Sequence, residues 1–239
     1  MKLNFISTGD IDINDNLNMI LYNVGEENPH TVLVIDDFLK NPQDILSILE
    51  NYCFDIEEIT HETSLKFPNI KKVFNALSKI YYNTEDINAS MFNEKIKLQF
   101  SLLNGGKSCS SKDVIPHITS SRTSFSLFLN SNQQDLGGIG FYKHKKSNID
   151  YDISYFDEEF KKTEQYWHIY ETYRKSYKNA INVSFDSRII SEEDWELQFV
   201  ADNKFNRLIV YPSYMFHSPY IEKDWYTEQK RLTLEGFIL

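Results

Sequence analysis

Cysteine is scarce in this chain. Cys53 and Cys109 are its only two, too far apart for a metal-binding pair and too few for a disulfide framework. A reducing interior agrees with that usage. Glycine is also scarce, eight in 239 residues, and no Pro/Gly/Ser-rich linker or internal repeat divides the sequence. One domain with one sizeable core is therefore expected. Positive charge is short: 25 Lys and Arg against 35 Asp and Glu, for a net charge of −10, with the basic residues scattered. A nucleic-acid-binding surface should be basic, so that class is excluded. No apolar run approaches the ~18 residues of a membrane span. The first residues, MKLNFISTGDIDIND, carry no apolar h-region, so no signal peptide is expected and a cytoplasmic location is.

What the chain has in excess is aromatic side chains, 15% of all residues, including 17 Phe and 15 Tyr. The first 30 residues read as an N-terminal extension and 31–239 as the domain. The run TVLVIDDFL (31–39) reads as a buried strand and its exit. In the next segment, NPQDILSILENY, Asn41 can cap a helix and Pro42 can take its first position. Ile45, Leu46, Ile48 and Leu49 then share a face. A second bracing helix is expected over 69–82, with Val73, Leu77 and Ile80 as its stripe.

Short strands follow. Residues 95–103 alternate Ile96, Leu98, Phe100 and Leu102 with polar partners, and 123–130 alternate Phe125, Leu127 and Leu129. Further strands are expected at 137–142, 195–200, 206–212 and 231–239. Helices first and many short strands after them predict an α+β chain: a double-sheet β fold, a jelly roll braced by N-terminal helices. The charged, aromatic stretch 150–180 is a helical insertion, either a substrate lid or an amphipathic helix packed on the sheet.

Six histidines are present, and two have special settings. His117 follows Pro116 ahead of the strand at 123–130; His217 closes YPSYMFHSP after the strand at 206–212. Met215 and Phe216 before it read as core. Distant strands converge in a jelly roll, so a separation of 100 residues (217 − 117) is no obstacle. Neutral imidazole suits divalent iron, copper, nickel or zinc. Taken singly, a loop histidine is more often satisfied by hydrogen bonds. The last strand, RLTLEGFI, adds weight. Arg231 and Thr233 are two apart and share one face, while Leu232, Leu234 and Ile238 take the other phase. A rigidly held guanidinium with a hydroxyl beside it suits a carboxylate. The alternative is an edge-strand arginine in solvent.

The order His117, His217, then Arg231-x-Thr233 resembles the iron(II)/2-oxoglutarate-dependent oxygenases. VIDDFLKNPQDI is similar to the strand-to-helix entry of prolyl-hydroxylase-like members. IPH, GGIGFYKH, FNRLIVYPSYMFHS and RLT together resemble a bacterial branch of that group. The resemblance covers roughly 31–239. It implies a double-stranded β-helix, iron(II) held by His117 and His217, and 2-oxoglutarate held by Arg231 and Thr233. It further implies Tyr142 and Gln99 as candidates for the cosubstrate pocket. Gly137 and Gly138 would let the backbone turn tightly into the strand bearing Tyr142. The substrate would be an amino acid, a peptide or a small metabolite, hydroxylated at a C–H bond. His144 and Arg122 could touch it, or could be a surface residue in a basic run and a strand-end arginine paired with local acids.

The sequence departs from the family at Thr119, where a carboxylate usually completes the metal face. Asp113 and Asp135 lack the strand register of position 119. Three outcomes are open. The enzyme could work with two histidines and water in the third position. A halide could occupy that position, as in related halogenases, with threonine bulkier than their Ala or Gly. Or the domain could be a binding module that has lost its metal.

Overall fold

The structure is a computed structural model. It describes residues 11–26, 29–50, 60–63, 96–103, 115–130, 136–154, 157–180, 193–221, 225–226 and 231–238. Ten strands and two α-helices are seen among them: β1 Asn18–Val24, β2 His30–Asp36, α1 Pro42–Glu50, β3 Thr60–Thr63, β4 Ile96–Leu103, β5 Thr123–Phe128, β6 Gly138–His144, α2 Glu164–Ala180, β7 Trp195–Asp202, β8 Leu208–Pro212, β9 His217–Tyr220 and β10 Arg231–Ile238. The helix expected at 69–82 lies outside the described residues, as do Asp113 and Asp135. No described helix is long and apolar enough to cross a membrane.

The strands form two antiparallel sheets in a jelly-roll-like arrangement. The larger has the order β1-β2-β8-β5-β10-β4-β3, the smaller β7-β6-β9. β1 falls within the first 30 residues and pairs with β2 along its whole length, from Asn18↔Asp36 to Val24↔His30.

The alternation of side chains explains the two-sided burial. On β2, Leu33 and Ile35 join the core beneath α1, while Val32 and Val34 join the core between the sheets. β8 divides in the same way: Leu208 and Val210 go to one side, Ile209 and Tyr211 to the other. Both strands are buried on both faces, hence their nearly continuous apolar runs. From α1, Ile45 is fully buried in the first cluster and Leu46 packs against it. Truncating such a side chain to alanine costs about 2–5 kcal/mol.

β4 and β10 behave differently. Leu98, Phe100, Leu234 and Ile238 face the first cluster. Their alternate residues, Gln99, Ser101, Arg231, Thr233 and Glu235, face a cavity between the sheets. This polar inner face is what distinguishes the middle of the larger sheet from its β2–β8 end.

Between β6 and β7, α2 lies on the smaller sheet. Ile169 is fully buried with Tyr142, Trp195 and Phe216, and Tyr173 packs against them. Trp167 and Tyr170 remain 54% and 46% exposed on its other side. Among the described residues of α2 none lines the cavity; the helix packs on the smaller sheet through its apolar face.

Candidate metal centre

His117 and His217 meet because the chain bonds them backbone to backbone. The His117 N–H donates to the His217 carbonyl at 2.9 Å, and the reverse bond is 3.0 Å. Residues directly opposite in an antiparallel pair put their side chains on the same face. Both imidazoles accordingly line the cavity, with ring centroids 4.8 Å apart and planes tilted by 50°.

Hydrogen bonds orient the two rings alike. Nδ1 of His117 lies 2.9 Å from the Ile115 carbonyl, and Nδ1 of His217 lies 2.8 Å from that of Met215. A carbonyl only accepts, so each Nδ1 carries a proton, and the neutral form of either ring presents Nε2 as a lone pair. Metal-binding histidines are commonly held in this way. Burial, reinforced by the neighbouring His117, lowers the pKa of His217 to about 3, so its ring is neutral at physiological pH.

The spacing suits one ion. With a metal–nitrogen bond of about 2.1 Å and about 1.1 Å from nitrogen to ring centre, rings bound at right angles have centroids about 4.5 Å apart. The observed 4.8 Å is close to that value. Thr119 stands beside the same point: its Oγ1 lies 3.4 Å from His217 Nε2 and donates to it. The Thr119 N–H is tied to the Ser213 carbonyl at 3.0 Å. Below this loop, Ser213 Oγ lies 2.8 Å from Ser121 Oγ and 2.7 Å from Ser124 Oγ. Among the described residues, no group of three or more His, Cys, Asp or Glu is placed to hold a metal.

The cavity has a volume of about 420 Å³. Arg231 lines it yet is only 2% exposed. Its Nη1 donates to the Gly138 carbonyl at 2.8 Å, and its guanidinium carbon sits 5.7 Å from the centre of the Phe128 ring. Gly138 has φ +151, and a Cβ there would come within 2.1 Å of the Ala201 carbonyl oxygen. Glycine is thus required where β6 turns in to meet β7, and that turn supplies the carbonyl that holds Arg231. Thr233 lies on the same face of β10, also buried.

Gln99 lines the cavity, but three other residues named from the sequence do not. Tyr142 lies on the face of β6 opposite Ile139 and Phe141, which join the core between the sheets, and packs with Ile169, Trp195 and Phe216. The register shift at this point adds Gln198 to β7 and leaves the alternation of β6 intact. His144 is fully buried beneath α2, with Nδ1 2.8 Å from Ser147 Oγ, Nε2 2.8 Å from Thr172 Oγ1, and Trp195 against its ring. Burial lowers its pKa to about 4. It is neither a substrate contact nor a surface residue. Arg122 is exposed, and its backbone bonds to Ile238 and Ser213. Glu235 was missed. It shares the phase of Arg231 and Thr233, so the motif extends to Arg-x-Thr-x-Glu.

The sequence profile of a family described as "Family of unknown function (DUF6445)" matches residues 16–238. No curated protein matches significantly. Among solved structures, a prolyl 4-hydroxylase from Phytophthora capsici is similar, at 14% identity and a TM-score of 0.42. The match covers 87% of this chain and 58% of that one, so the chain spans less than two thirds of its length.

Proposed function

We propose that this chain, which belongs to the DUF6445 family, is an iron(II)/2-oxoglutarate-dependent oxygenase built on a double-stranded β-helix. The observation that carries the reading is the cavity itself. It has two Nε2 lone pairs at one wall, spaced for a single ion, and a buried guanidinium with a neighbouring hydroxyl on the facing strand. The strand order supports the fold. From β5 onward the chain passes between the sheets in the sequence larger, smaller, smaller, larger, smaller, larger, and the His117 bridge adds a further rung beside β9.

The residues fit the group. His117 and His217 would hold iron(II) through Nε2, as neutral donors. Arg231 and Thr233 would receive the far carboxylate of 2-oxoglutarate, the arginine as a fork of charged donors and the threonine by turning its hydroxyl away from Glu235, to which it donates at 3.4 Å in the free site. When bound, the iron and cosubstrate supply oxygen activation and its insertion into a C–H bond. This chain's part is to orient and to exclude water. The backbone carbonyls of Ile115 and Met215 fix both ring tautomers. The Gly138 carbonyl holds the guanidinium on the cavity wall. Phe128 and Ile139 line that cavity with apolar surface.

The test is anaerobic. Wild-type protein with iron(II) and 2-oxoglutarate should develop the visible charge-transfer band of the chelate. His117→Ala and His217→Ala should abolish it, and Arg231→Leu should raise the 2-oxoglutarate concentration needed by about tenfold or more, the loss of a charge-assisted pair. A folded wild-type protein that shows no band at millimolar ligand would remove the oxygenase reading. It would favour a second one, a binding module. The hydroxyl of Thr119, standing where a carboxylate would complete the metal face, supports that alternative.

A further inference from the structure

Strand register arranges the wall facing the histidines in rows. Gln99, Glu235 and Ser126 stand side by side across β4, β10 and β5; Ser101, Thr233 and Phe128 form the next row, and Arg231 begins the row beyond. All seven line the cavity. Rows on one face of a strand are about 7 Å apart, so Glu235 is about 14 Å of strand from Arg231.

Among the described residues, Glu235 is held by neutral donors alone. Its Oε2 accepts from Gln99 Nε2 at 3.0 Å and its Oε1 from Thr233 Oγ1 at 3.4 Å. Among the described residues no lysine, arginine or histidine forms an ion pair with it. Asp36 shows the contrast: that structural carboxylate is closed off by Arg207 at 2.6 Å and Lys204 at 2.9 Å. A carboxylate in a half-enclosed cavity is costly to desolvate unless an opposite charge arrives with the ligand. Glu235 also belongs to no group of three metal-binding side chains among the described residues.

We propose that Glu235 is the subsite for a nitrogen cation, a primary ammonium or a guanidinium, on the substrate. The Gln99 carbonyl oxygen and the Ser126 hydroxyl, in the same row, offer it further acceptors. This inference rests on the oxygenase reading, in which the cosubstrate's far carboxylate takes the Arg231 end and leaves the Glu235 row to the substrate. The cavity then sorts charge along β10, anion at one end and cation at the other.

The test compares Nα-acetyl-L-lysine with Nα-acetyl-L-norleucine and Nα-acetyl-L-arginine with Nα-acetyl-L-citrulline, so that no α-ammonium is present and only the side-chain charge differs within each pair. Each binds the full chain loaded anaerobically with iron(II) and 2-oxoglutarate, at constant ionic strength, and is followed by calorimetry up to about 10 mM. At least one cationic member should bind about tenfold or more tighter than its neutral partner, since a site built around a charged hydrogen bond rejects the analogue lacking it. In Glu235→Gln, which keeps the side-chain shape, the ratio should fall to within about twofold, with folding verified by circular dichroism; Glu235→Ala gives a second reading. Equal binding of both members, no binding by any of the four, or a preference that survives both variants would overturn the proposal. The chelate band of the same wild-type sample separates the two failures. A band without cation preference sinks only the Glu235 assignment, whereas no band sinks the oxygenase reading.

Discussion

Replacing Thr119 by aspartate should tighten metal binding, and the size of the gain can be bounded. The threonine hydroxyl lies 3.4 Å from the Nε2 of His217, and the backbone at 119 is fixed by Ser213. An aspartate at this position, little different in size, starts within reach of an ion shared by the two rings. Losing a side chain that merely orients a metal ligand costs about 10–100-fold in affinity, and an added direct ligand should gain at least that, about 1.4–2.7 kcal/mol. Coulomb's law sets the ceiling. A carboxylate and a divalent cation about 4 Å apart, at an effective dielectric constant of about 20, attract by about 8 kcal/mol. Desolvating both ions offsets much of this. The expected gain is therefore one to two orders of magnitude. The assay is anaerobic calorimetric titration with iron(II), repeated with manganese(II) and electron paramagnetic resonance. Wild type, Thr119→Asp and Thr119→Asp/His217→Ala are compared. Unchanged affinity in the single variant would show that position 119 does not face the metal. Tight binding that persists without His217 would show that the new carboxylate had made an unrelated surface site.

Gly138→Ala should destabilise the fold by about 2–4 kcal/mol in urea denaturation, because a Cβ would stand 2.1 Å from the Ala201 carbonyl oxygen at a φ of +151. The same variant should weaken 2-oxoglutarate binding through Arg231, which leans on the Gly138 carbonyl. His144 makes stability depend on pH. Its folded pKa of about 4 lies below the ordinary 6.5, so the unfolded chain takes up the proton first. Its share of stability is complete above about 6.5 and falls by about 3 kcal/mol as pH drops to 4. His144→Phe should flatten that part of the stability profile; an unchanged slope would contradict the assignment. Asp36 acts in a more acidic window. Its carboxyl, bonded to Arg207, has a pKa lowered to about 2, so its contribution is full above about 4 and disappears as pH falls through 2. Asp36→Asn should cost about 1–2 kcal/mol at neutral pH, after allowance for solvent screening, and almost nothing near pH 2.

Much of the architecture is legible in short patterns. Alternating Leu98, Phe100 and Leu102, or Leu232, Leu234 and Ile238, announce strands with one apolar face, because successive strand residues point to opposite sides. β9 is harder to see, since its four residues, His217–Tyr220, include a proline. β1 escapes for another reason: with six of seven residues solvent-facing or partly so, it has no clean alternation to read. The site divides in the same way. His117, His217, Arg231 and Thr233 stand out by type and order. Tyr142 and His144 are misread because local alternation does not say which face of β6 looks inward: Ile139 and Phe141 turn to the core between the sheets, and the alternate residues turn to α2.

By itself the sequence determined the local periods: where the chain runs as strand or helix, which face of each element is apolar, and which residues can donate to a metal or grip a carboxylate. These follow from backbone geometry and side-chain chemistry, which need only near neighbours. Tertiary structure alone decided which faces meet. It set His117 opposite His217, hung Arg231 on the Gly138 carbonyl, buried His144 beneath a helix and, among the described residues, gave Glu235 in the cavity only neutral partners. Pairings of that kind depend on register across strands distant in the chain, where a shift of a single residue exchanges core for cavity.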